Sequence, residues 1–298
     1  MKKLFIALVI LIILGFGAYF LFNIDSSPED YTPDDGPAMN DTSEDTAMED
    51  DGAMKEQEPV ENIGQSADGN AITAYHFGTG DTEVLFVGGI HSGYGPGTSL
   101  VAFNLIGELE SGDIAVPENV KVTVIPVLNP DGVDASGEIS VSDLPTSSVT
   151  AGRFNGNEVD LNRNFDCNWK DTGVWQSKTV KTGSSAFSEP EAQALKSYVE
   201  KQNPDAVVVY YSQAGEVVAG NCGGDISSDI RTLMNTYADA SGYEAKESFD
   251  YYATNGDATN WLAKIGIPSV GVLLNSHTSA EWTKNKAGIE AVLKSYSN

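Results

Sequence analysis

Hydrophobic and polar positions alternate in blocks along most of the chain, and each block predicts a strand or a helix. Four continuous apolar runs predict buried strands, at residues 83–87, 121–127, 206–211 and 269–274. Helical spacing separates them at residues 98–109 and 228–240. Two further helices are indicated by start signals with a capping residue, Ser188-Glu-Pro-Glu191 and Thr278-Ser-Ala-Glu281. Apolar strands separated by helices predict an α/β domain whose sheet is covered on both faces.

The first 23 residues form a separate apolar block. Lys2 and Lys3 precede an unbroken apolar run over residues 4–22, which as a helix would span roughly 28 Å, close to the hydrocarbon thickness of a bilayer. The run is longer than the core of a signal peptide and has no A-x-A cleavage pattern. We therefore predict an uncleaved single-pass anchor at residues 1–23, with the rest of the chain on the extracytoplasmic side of the cell membrane. A cleaved signal peptide and a buried helix are the alternatives.

Residues 24–61 contain almost nothing that a core could bury. They carry 14 Asp and Glu residues against the single Lys55, which accounts for half of the chain's net charge of −26. Such a segment cannot offset its ordering entropy by burial, so we predict a disordered acidic linker. A cation-binding tail is the alternative, and no ligand spacing supports it.

Residues 62–298 are numerous enough for one large domain with a substantial core. This domain is also acidic, and its negative charge disfavours nucleic acid as a partner. Outside the cytoplasm, Cys167 and Cys222 could form a disulfide bond. A metal site is the weaker alternative, because the two cysteines are far apart and no CxxC spacing is present.

Polar residues that could carry chemistry follow the predicted strands. Ligand sites in α/β sheets lie in the loops beyond the carboxyl ends of the strands. Four such loop segments stand out, at residues 88–94, 153–165, 210–215 and 273–278. Two other motifs carry little weight: Gly93-Tyr-Gly-Pro-Gly97 lacks the Lys-Ser/Thr ending of a phosphate loop, and no Gly-x-Ser-x-Gly elbow indicates a serine hydrolase.

Together with Asn129-Pro-Asp-Gly132 and Gly256-Asp-Ala-Thr-Asn-Trp261, these segments resemble the zinc carboxypeptidases, the family of carboxypeptidase A. The likeness extends from Ile63 to Tyr296 and is most specific at residues 160–165. It implies a mixed, mostly parallel, eight-stranded twisted sheet with helices on both faces. It also implies a zinc ion held by two histidines and a glutamate, a general-base glutamate, an oxyanion-stabilising arginine and an Asn-Arg pair for the substrate's terminal carboxylate.

The metal half of this pattern is incomplete in the sequence. His91 stands at the first ligand position, but Tyr94 and Gly95 occupy the places of the ligand glutamate and Tyr211 that of the second histidine. Leu273 replaces the general base, and a leucine cannot abstract a proton. A lone imidazole cannot supply the three ligands of a catalytic zinc. A rearranged site with tyrosine ligands is the alternative, disfavoured because the pKa of a phenol is near 10.

The anion-binding half is intact. The resemblance places Arg153 at the oxyanion position, the Asn162–Arg163 pair at the terminal-carboxylate position, and Tyr251 or Tyr252 at a mobile tyrosine over the substrate. The alternative for both arginines is a buried ion pair, with Asp160 as a partner. His277 follows the last strand and is expected to form a hydrogen bond or a cap, whereas His76 is expected to be a surface or core residue.

The sequence therefore predicts a membrane-tethered domain with the fold of a zinc carboxypeptidase that has lost hydrolysis and does not hold zinc stably. Its expected partner is the C-terminal carboxylate of a peptide or of a peptidoglycan stem peptide. Two alternatives remain open: an active metallocarboxypeptidase with a rearranged metal site, and a structural interaction module.

Overall fold

The computed structural model of the protein describes residues 59–137 and 144–297. The predicted anchor and nearly all of the predicted acidic linker lie outside the described residues. Among the helices of the described residues, none is long and apolar enough to cross a membrane. The first strand begins at Val60, so strand pairing includes the last two residues of the segment predicted as a linker.

An eight-stranded mixed sheet organises the described part of the chain, in the order β1-β2-β4-β3-β7-β10-β8-β9, beside a two-stranded ribbon of β5 and β6. The strands are β1 Val60–Gln65, β2 Ala71–Phe77, β3 Thr82–Val87, β4 Val120–Ile125, β5 Gly173–Trp175, β6 Lys178–Val180, β7 Ala206–Ser212, β8 Glu216–Ala219, β9 Glu244–Lys246 and β10 Ser269–Leu274. The helices are α1 Pro96–Ser111, α2 Pro130–Asp134, α3 Pro190–Gln202, α4 Ser228–Ser241, α5 Ala258–Lys264 and α6 Trp282–Ser295.

The four strands predicted from continuous apolar runs are β3, β4, β7 and β10, and they form the parallel centre of the sheet. Alternate residues of one strand enter different cores: Val84 and Phe86 of β3 face one, Leu85 and Val87 the other. Side chains of α1, α4 and α6 complete the first core, and those of α3 and α5 complete the second. The prediction of a mixed α/β sheet covered on both faces is confirmed.

Ser188 and Thr278, the capping residues predicted for two helices, do not occupy the N-cap positions. The N-cap of α3 is Glu189, and the hydroxyl of Ser188 donates to the Glu189 carboxylate at 2.8 Å instead of capping the helix. The N-cap of α6 is Glu281, whose carboxylate accepts from the backbone N–H groups of Asn275 and Ser276 at 2.7 and 3.1 Å. Both motifs lie next to a helix start, but their polar side chains satisfy the preceding loop.

Cys167 and Cys222 form a disulfide bond with their Cα atoms 5.7 Å apart. The bond joins the segment before β5 to the loop after β8. Neither cysteine is therefore a metal ligand in this structure.

Candidate functional site

The carboxyl ends of β3, β7 and β10 meet at one edge of the sheet because these strands are parallel neighbours. His91 follows β3, and Tyr211 near the end of β7 is paired in register with Leu273 of β10. Two 3-10 turns, Thr150–Arg153 and Leu161–Arg163, add cationic side chains at the same edge. The result is a cavity of about 60 Å³, which we call the inner chamber; its lining includes His91, Arg153, Asn162, Arg163, Tyr211, Tyr252 and Leu273.

A wider cavity of about 440 Å³, the outer chamber, adjoins the inner one and shares with it Ser212, Phe249, Tyr252 and Leu273. Its remaining walls are mainly aromatic or polar: Tyr94, Trp175, Gln176, Gln213, Ala214, Tyr251 and His277. The two chambers therefore form one cleft with a small cationic end and a larger aromatic mouth.

Arg153, Asp160 and His91 form a buried cluster at the inner chamber. Arg153 donates from Nε and Nη2 to Asp160 Oδ2, at 3.0 and 2.8 Å. His91 Nε2 lies 2.9 Å from Asp160 Oδ1, and His91 Nδ1 lies 3.3 Å from Arg153 Nη1. Since a carboxylate can only accept, Nε2 carries the imidazole proton and Nδ1 accepts from Arg153. The ion-pair interpretation of Arg153 is therefore correct.

Burial and the ion pair between Arg153 and Asp160 determine the protonation states of this cluster. Burial opposes ionisation of Asp160, but Arg153 and the neighbouring His91 outweigh it and hold the pKa of Asp160 well below its usual range. Burial, reinforced by Arg153, lowers the pKa of His91 to about 4. At neutral pH the cluster therefore contains an ionised Asp160, a cationic Arg153 and a neutral His91.

Arg163 is as buried as Arg153 but has different partners. Only 1% of its surface is exposed. Its Nε and Nη2 donate to the carbonyl oxygen of Val174 at 3.1 and 2.9 Å, and its Nη1 donates to the carbonyl oxygen of Asn162 at 2.6 Å. Within residues 59–137 and 144–297, no carboxylate forms an ion pair with Arg163. The ion-pair interpretation is therefore wrong for Arg163, which makes no direct ionic contact in the described structure; its charge acts only at longer range, where it helps to lower the pKa of Asp160.

The side-chain amide of Asn162 is committed to the protein itself. It donates to Asp257 at 2.7 Å and accepts from the Tyr211 hydroxyl and the Ala258 backbone N–H at 3.2 and 3.0 Å. Asn162 consequently fixes the wall of the inner chamber, and Arg163 is the member of the predicted pair whose charge is not neutralised.

The two candidate tyrosines are placed differently. Tyr252 lines both chambers, and its ring centre lies 5.8 Å from the guanidinium carbon of Arg163. Tyr251 reaches only the outer chamber, is 63% exposed, and donates its hydroxyl proton to Glu216 at 2.6 Å. Tyr252 is therefore the tyrosine that can cover a group bound at Arg163.

Comparison with known proteins decides the family, since residues 52–295 match the zinc carboxypeptidases. The chain belongs to the zinc carboxypeptidase family. It is similar to carboxypeptidase O of Bos taurus, with 27% identity over 168 residues, 51% of this chain and 44% of that protein. A shorter stretch of 84 residues is 37% identical to murein peptide amidase A of Vibrio campbellii, covering 25% of this chain and 34% of that protein. The matched stretches span less than half of each relative.

Solved structures show the same fold at low sequence identity. Carboxypeptidase A from Helicoverpa armigera superposes with a TM-score of 0.62 and 19% identity, over 80% of this chain and 69% of that one. The murein-tripeptide amidase from Escherichia coli O157 gives a TM-score of 0.56 and 21% identity, over 79% of this chain and 91% of that one. The predicted family and the predicted carboxypeptidase-like architecture are confirmed.

The family implies zinc, but the side chains at the ligand positions of this chain do not fit a catalytic zinc ion. The lone pair of His91 Nδ1 accepts from Arg153. Burial raises the pKa of Tyr94, and burial together with the Asp257 charge raises the pKa of Tyr211 well above its ordinary value, so both phenols stay protonated. Gly95 has no side chain to offer. Across the described residues, no three His, Cys, Asp or Glu side chains are placed to hold a metal ion.

Two features of the cleft were not predicted from the sequence. Trp175 lies on the β5–β6 ribbon, and its ring centre is 4.5 Å from the Arg153 guanidinium carbon. Each strand of the ribbon is only three residues long, so hydrophobic patterning gave no signal for it. His277 is hydrogen-bonded through Nδ1 to Ser212 Oγ at 2.8 Å, which matches its expected role, but the sequence did not identify Ser212 as its partner. His76 is a buried residue of β2, 3.0 Å from the hydroxyl of Thr123.

Proposed function

We propose that this chain is a membrane-tethered, extracytoplasmic member of the zinc carboxypeptidase family that has lost zinc-dependent hydrolysis and binds C-terminal carboxylates. Its ligands are peptides or peptidoglycan stem peptides. The observation that carries the proposal is Arg163, a buried guanidinium at the inner chamber that donates only to backbone carbonyls. A buried charge is costly unless it is paired, and a ligand carboxylate would pair it with two parallel hydrogen bonds.

The shape of the cleft supports a chain end as the ligand. The inner chamber, of about 60 Å³, is much smaller than the outer chamber of about 440 Å³, so a terminal group suits the inner chamber and the preceding residues suit the outer one. Tyr252 joins the two chambers and can close over the bound group. Two relatives are named for murein peptides, which supports the peptidoglycan class of ligand.

The proposed loss of hydrolysis is supported by the side chains at the ligand positions, which do not offer three metal ligands. The alternative, an active metallocarboxypeptidase with a rearranged metal site, is supported by family membership alone. Metal analysis separates the two. We expect the purified full-length protein to hold well under one zinc ion per chain after dialysis without chelator. One retained zinc ion per chain, together with release of C-terminal residues from peptides, would establish the alternative.

Binding of the carboxylate is tested with one peptide in two forms, the free acid and the C-terminal amide. The acid should bind more tightly by about 1.5–3 kcal/mol, because only the acid pairs the Arg163 charge. That free energy corresponds to roughly a tenfold to hundredfold preference. Arg163→Ala should abolish the preference. Arg231→Ala is the matched control, since Arg231 of α4 is exposed and pairs with Glu247, which is also exposed.

Calorimetric titration of both peptides against the three proteins measures these affinities. Equal affinity for acid and amide in the unmodified protein, with a much lower melting temperature for Arg163→Ala, would support a structural interaction module instead.

Membrane tethering is supported by the apolar run over residues 4–22. We expect the full-length protein to stay in the membrane fraction at high salt and to keep Lys2 and Lys3. A soluble form that begins near Asn23 would show that the run is a cleaved signal peptide.

A further inference from the structure

Ser212 and His277 meet where the two chambers join. Ser212 is the last residue of β7 and lines both chambers, whereas His277 follows β10 and lines the outer one. Because β7 and β10 are parallel and Ser212 pairs in register with Leu274, the loop after β10 begins beside Ser212. This register brings Ser212 Oγ to 2.8 Å from His277 Nδ1. That distance is within the range of a nucleophile and its general base.

The imidazole of His277 is held and kept neutral. Its ring centre lies 4.4 Å from that of Tyr94. Burial, with a further contribution from the Arg153 charge, lowers the pKa of His277, so the ring is unprotonated at neutral pH. A neutral imidazole whose proton is on Nε2 accepts the hydroxyl hydrogen of Ser212 at Nδ1.

Gly95 keeps the serine hydroxyl accessible. A Cβ atom at residue 95 would lie 2.6 Å from Ser212 Oγ, closer than two such atoms can approach. Residue 95 is one of the two positions where the resemblance places a ligand glutamate. Gly95 therefore offers no metal ligand, and its lack of a side chain leaves the space that the Ser212 hydroxyl occupies.

We propose that Ser212 and His277 form a nucleophile–base pair that gives the cleft a metal-independent acyl-transfer activity toward esters and activated amides. The proposal goes beyond carboxylate binding and does not depend on it. Ser212 Oγ attacks the carbonyl carbon, and its proton passes to His277 Nδ1. As the bond to the leaving group breaks, the leaving group takes this proton, and the acyl group remains on Ser212.

Arg153 is the group available to stabilise the negative charge that develops on the carbonyl oxygen. Its cationic guanidinium lines the inner chamber together with Ser212. In the second half of the reaction, His277 Nδ1 takes a proton from water as the water oxygen attacks the acyl carbon. The bond from the acyl carbon to Ser212 Oγ then breaks, and His277 passes its proton to Oγ, which releases the acid and restores the Ser212 hydroxyl.

The test is covalent labelling of the full-length protein by a fluorophosphonate in the presence of EDTA. Attack by Ser212 forms an O–P bond and releases fluoride, and mass spectrometry of the digested protein locates the adduct. We expect a single adduct on Ser212, none in Ser212→Ala, and labelling slower by about 10²-fold or more in His277→Ala, since a general base typically contributes 10²–10⁴-fold.

Two glycine variants provide a matched comparison. Gly95→Ala should slow labelling at least about tenfold because the new methyl group displaces the Ser212 hydroxyl. Gly107→Ala, in the middle of α1, places its methyl group in open space and should label at the unmodified rate. The melting temperature of each variant shows whether it folds. If Ser212→Ala does not fold, the labelling rate of His277→Ala tests the nucleophile–base pair.

An absent adduct, an adduct on another residue, or equal rates for the unmodified protein and His277→Ala would overturn the proposal. Labelling is measured without peptide. Its absence would therefore overturn the nucleophile–base pair without bearing on carboxylate binding, which the comparison of acid and amide peptides tests separately.

Discussion

Arg153 and Arg163 line the same inner chamber and are both buried, with 4% and 1% of their surfaces exposed. Their guanidinium groups nevertheless have different hydrogen-bond partners. Arg153 makes two hydrogen bonds to the Asp160 carboxylate, whereas Arg163 donates only to carbonyl oxygens. A buried pair that loses one member leaves a costly isolated charge, but a cation without a counter-ion is available for a ligand. The comparison separates an arginine whose charge is paired within the protein from one that forms no ion pair.

Asp160 and Glu191 are two buried carboxyl groups that also differ in whether a cation pairs with them. Asp160 faces Arg153, and its pKa is held well below the usual range despite burial. Glu191 accepts from the Ala67 backbone N–H and from the Asn155 amide, and in the described structure it has no cationic partner. Burial, with a smaller contribution from Asp131, raises the pKa of Glu191 to about 7. A counter-ion, rather than hydrogen bonding alone, therefore decides which buried group stays charged.

The largest expected effect is that of Arg153→Ala on stability. This substitution leaves Asp160 buried without its cation, so the free energy of unfolding should fall by about 3–5 kcal/mol. Urea denaturation measures it. Arg231→Ala, which removes an exposed ion pair, should cost no more than about 1 kcal/mol. A loss below about 1 kcal/mol for Arg153→Ala as well would contradict the structural role of the Arg153–Asp160 pair.

The pH dependence of stability tests the unpaired carboxylate. Between about pH 4.5 and pH 7 the folded state keeps the Glu191 proton that the unfolded chain has released. The protonated side chain therefore contributes fully to the free energy of unfolding below about pH 4.5, and this contribution is lost as the pH rises to about 7. The loss should be on the order of 3 kcal/mol. Glu191→Gln should remove this component from the dependence of unfolding free energy on pH.

The three histidines titrate in the same window with the opposite sign, because their lowered pKa values make stability rise with pH. The difference between the unmodified protein and Glu191→Gln therefore isolates Glu191. Parallel stability curves for the two proteins from pH 4.5 to pH 7 would show that Glu191 is ionised throughout.

The smallest effect concerns Arg163→Ala without ligand. Its removal leaves the carbonyl oxygens of Val174 and Asn162 without these donors, which should cost about 1–3 kcal/mol, less than Arg153→Ala. Urea denaturation in the absence and presence of an acid peptide measures both parts of the prediction. The peptide should raise the midpoint of the unmodified protein and not that of the variant. A loss as large as that of Arg153→Ala would make Arg163 a structural cation.

Sequence patterning predicted the centre of the sheet because β3, β4, β7 and β10 are buried on both faces and so are continuously apolar. It gave no signal for the β5–β6 ribbon, which carries Trp175. Helix existence was predictable, but the capping residues of α3 and α6 were not. The Ser188 hydroxyl accepts from the Ser184 backbone N–H and the Glu281 carboxylate accepts from that of Asn275, both in the preceding loops.

In the cleft, family-like segments identified the residues that line the inner chamber, but not how they pair. Asp160 lies seven residues after Arg153 and three before Arg163, and this spacing alone does not decide between them. Ser212 and His277 are 65 residues apart, and their contact depends on the register of β7 and β10. Such partners become visible only once the strands are paired.

The central claim is that the cleft binds a carboxylate through Arg163 and does so without a metal ion. The most direct test is the affinity of the full-length protein for the acid peptide, measured by calorimetry before and after treatment with EDTA. We predict the same affinity in both, with the preference over the amide retained. Loss of binding after chelation, restored by added zinc, would contradict the account.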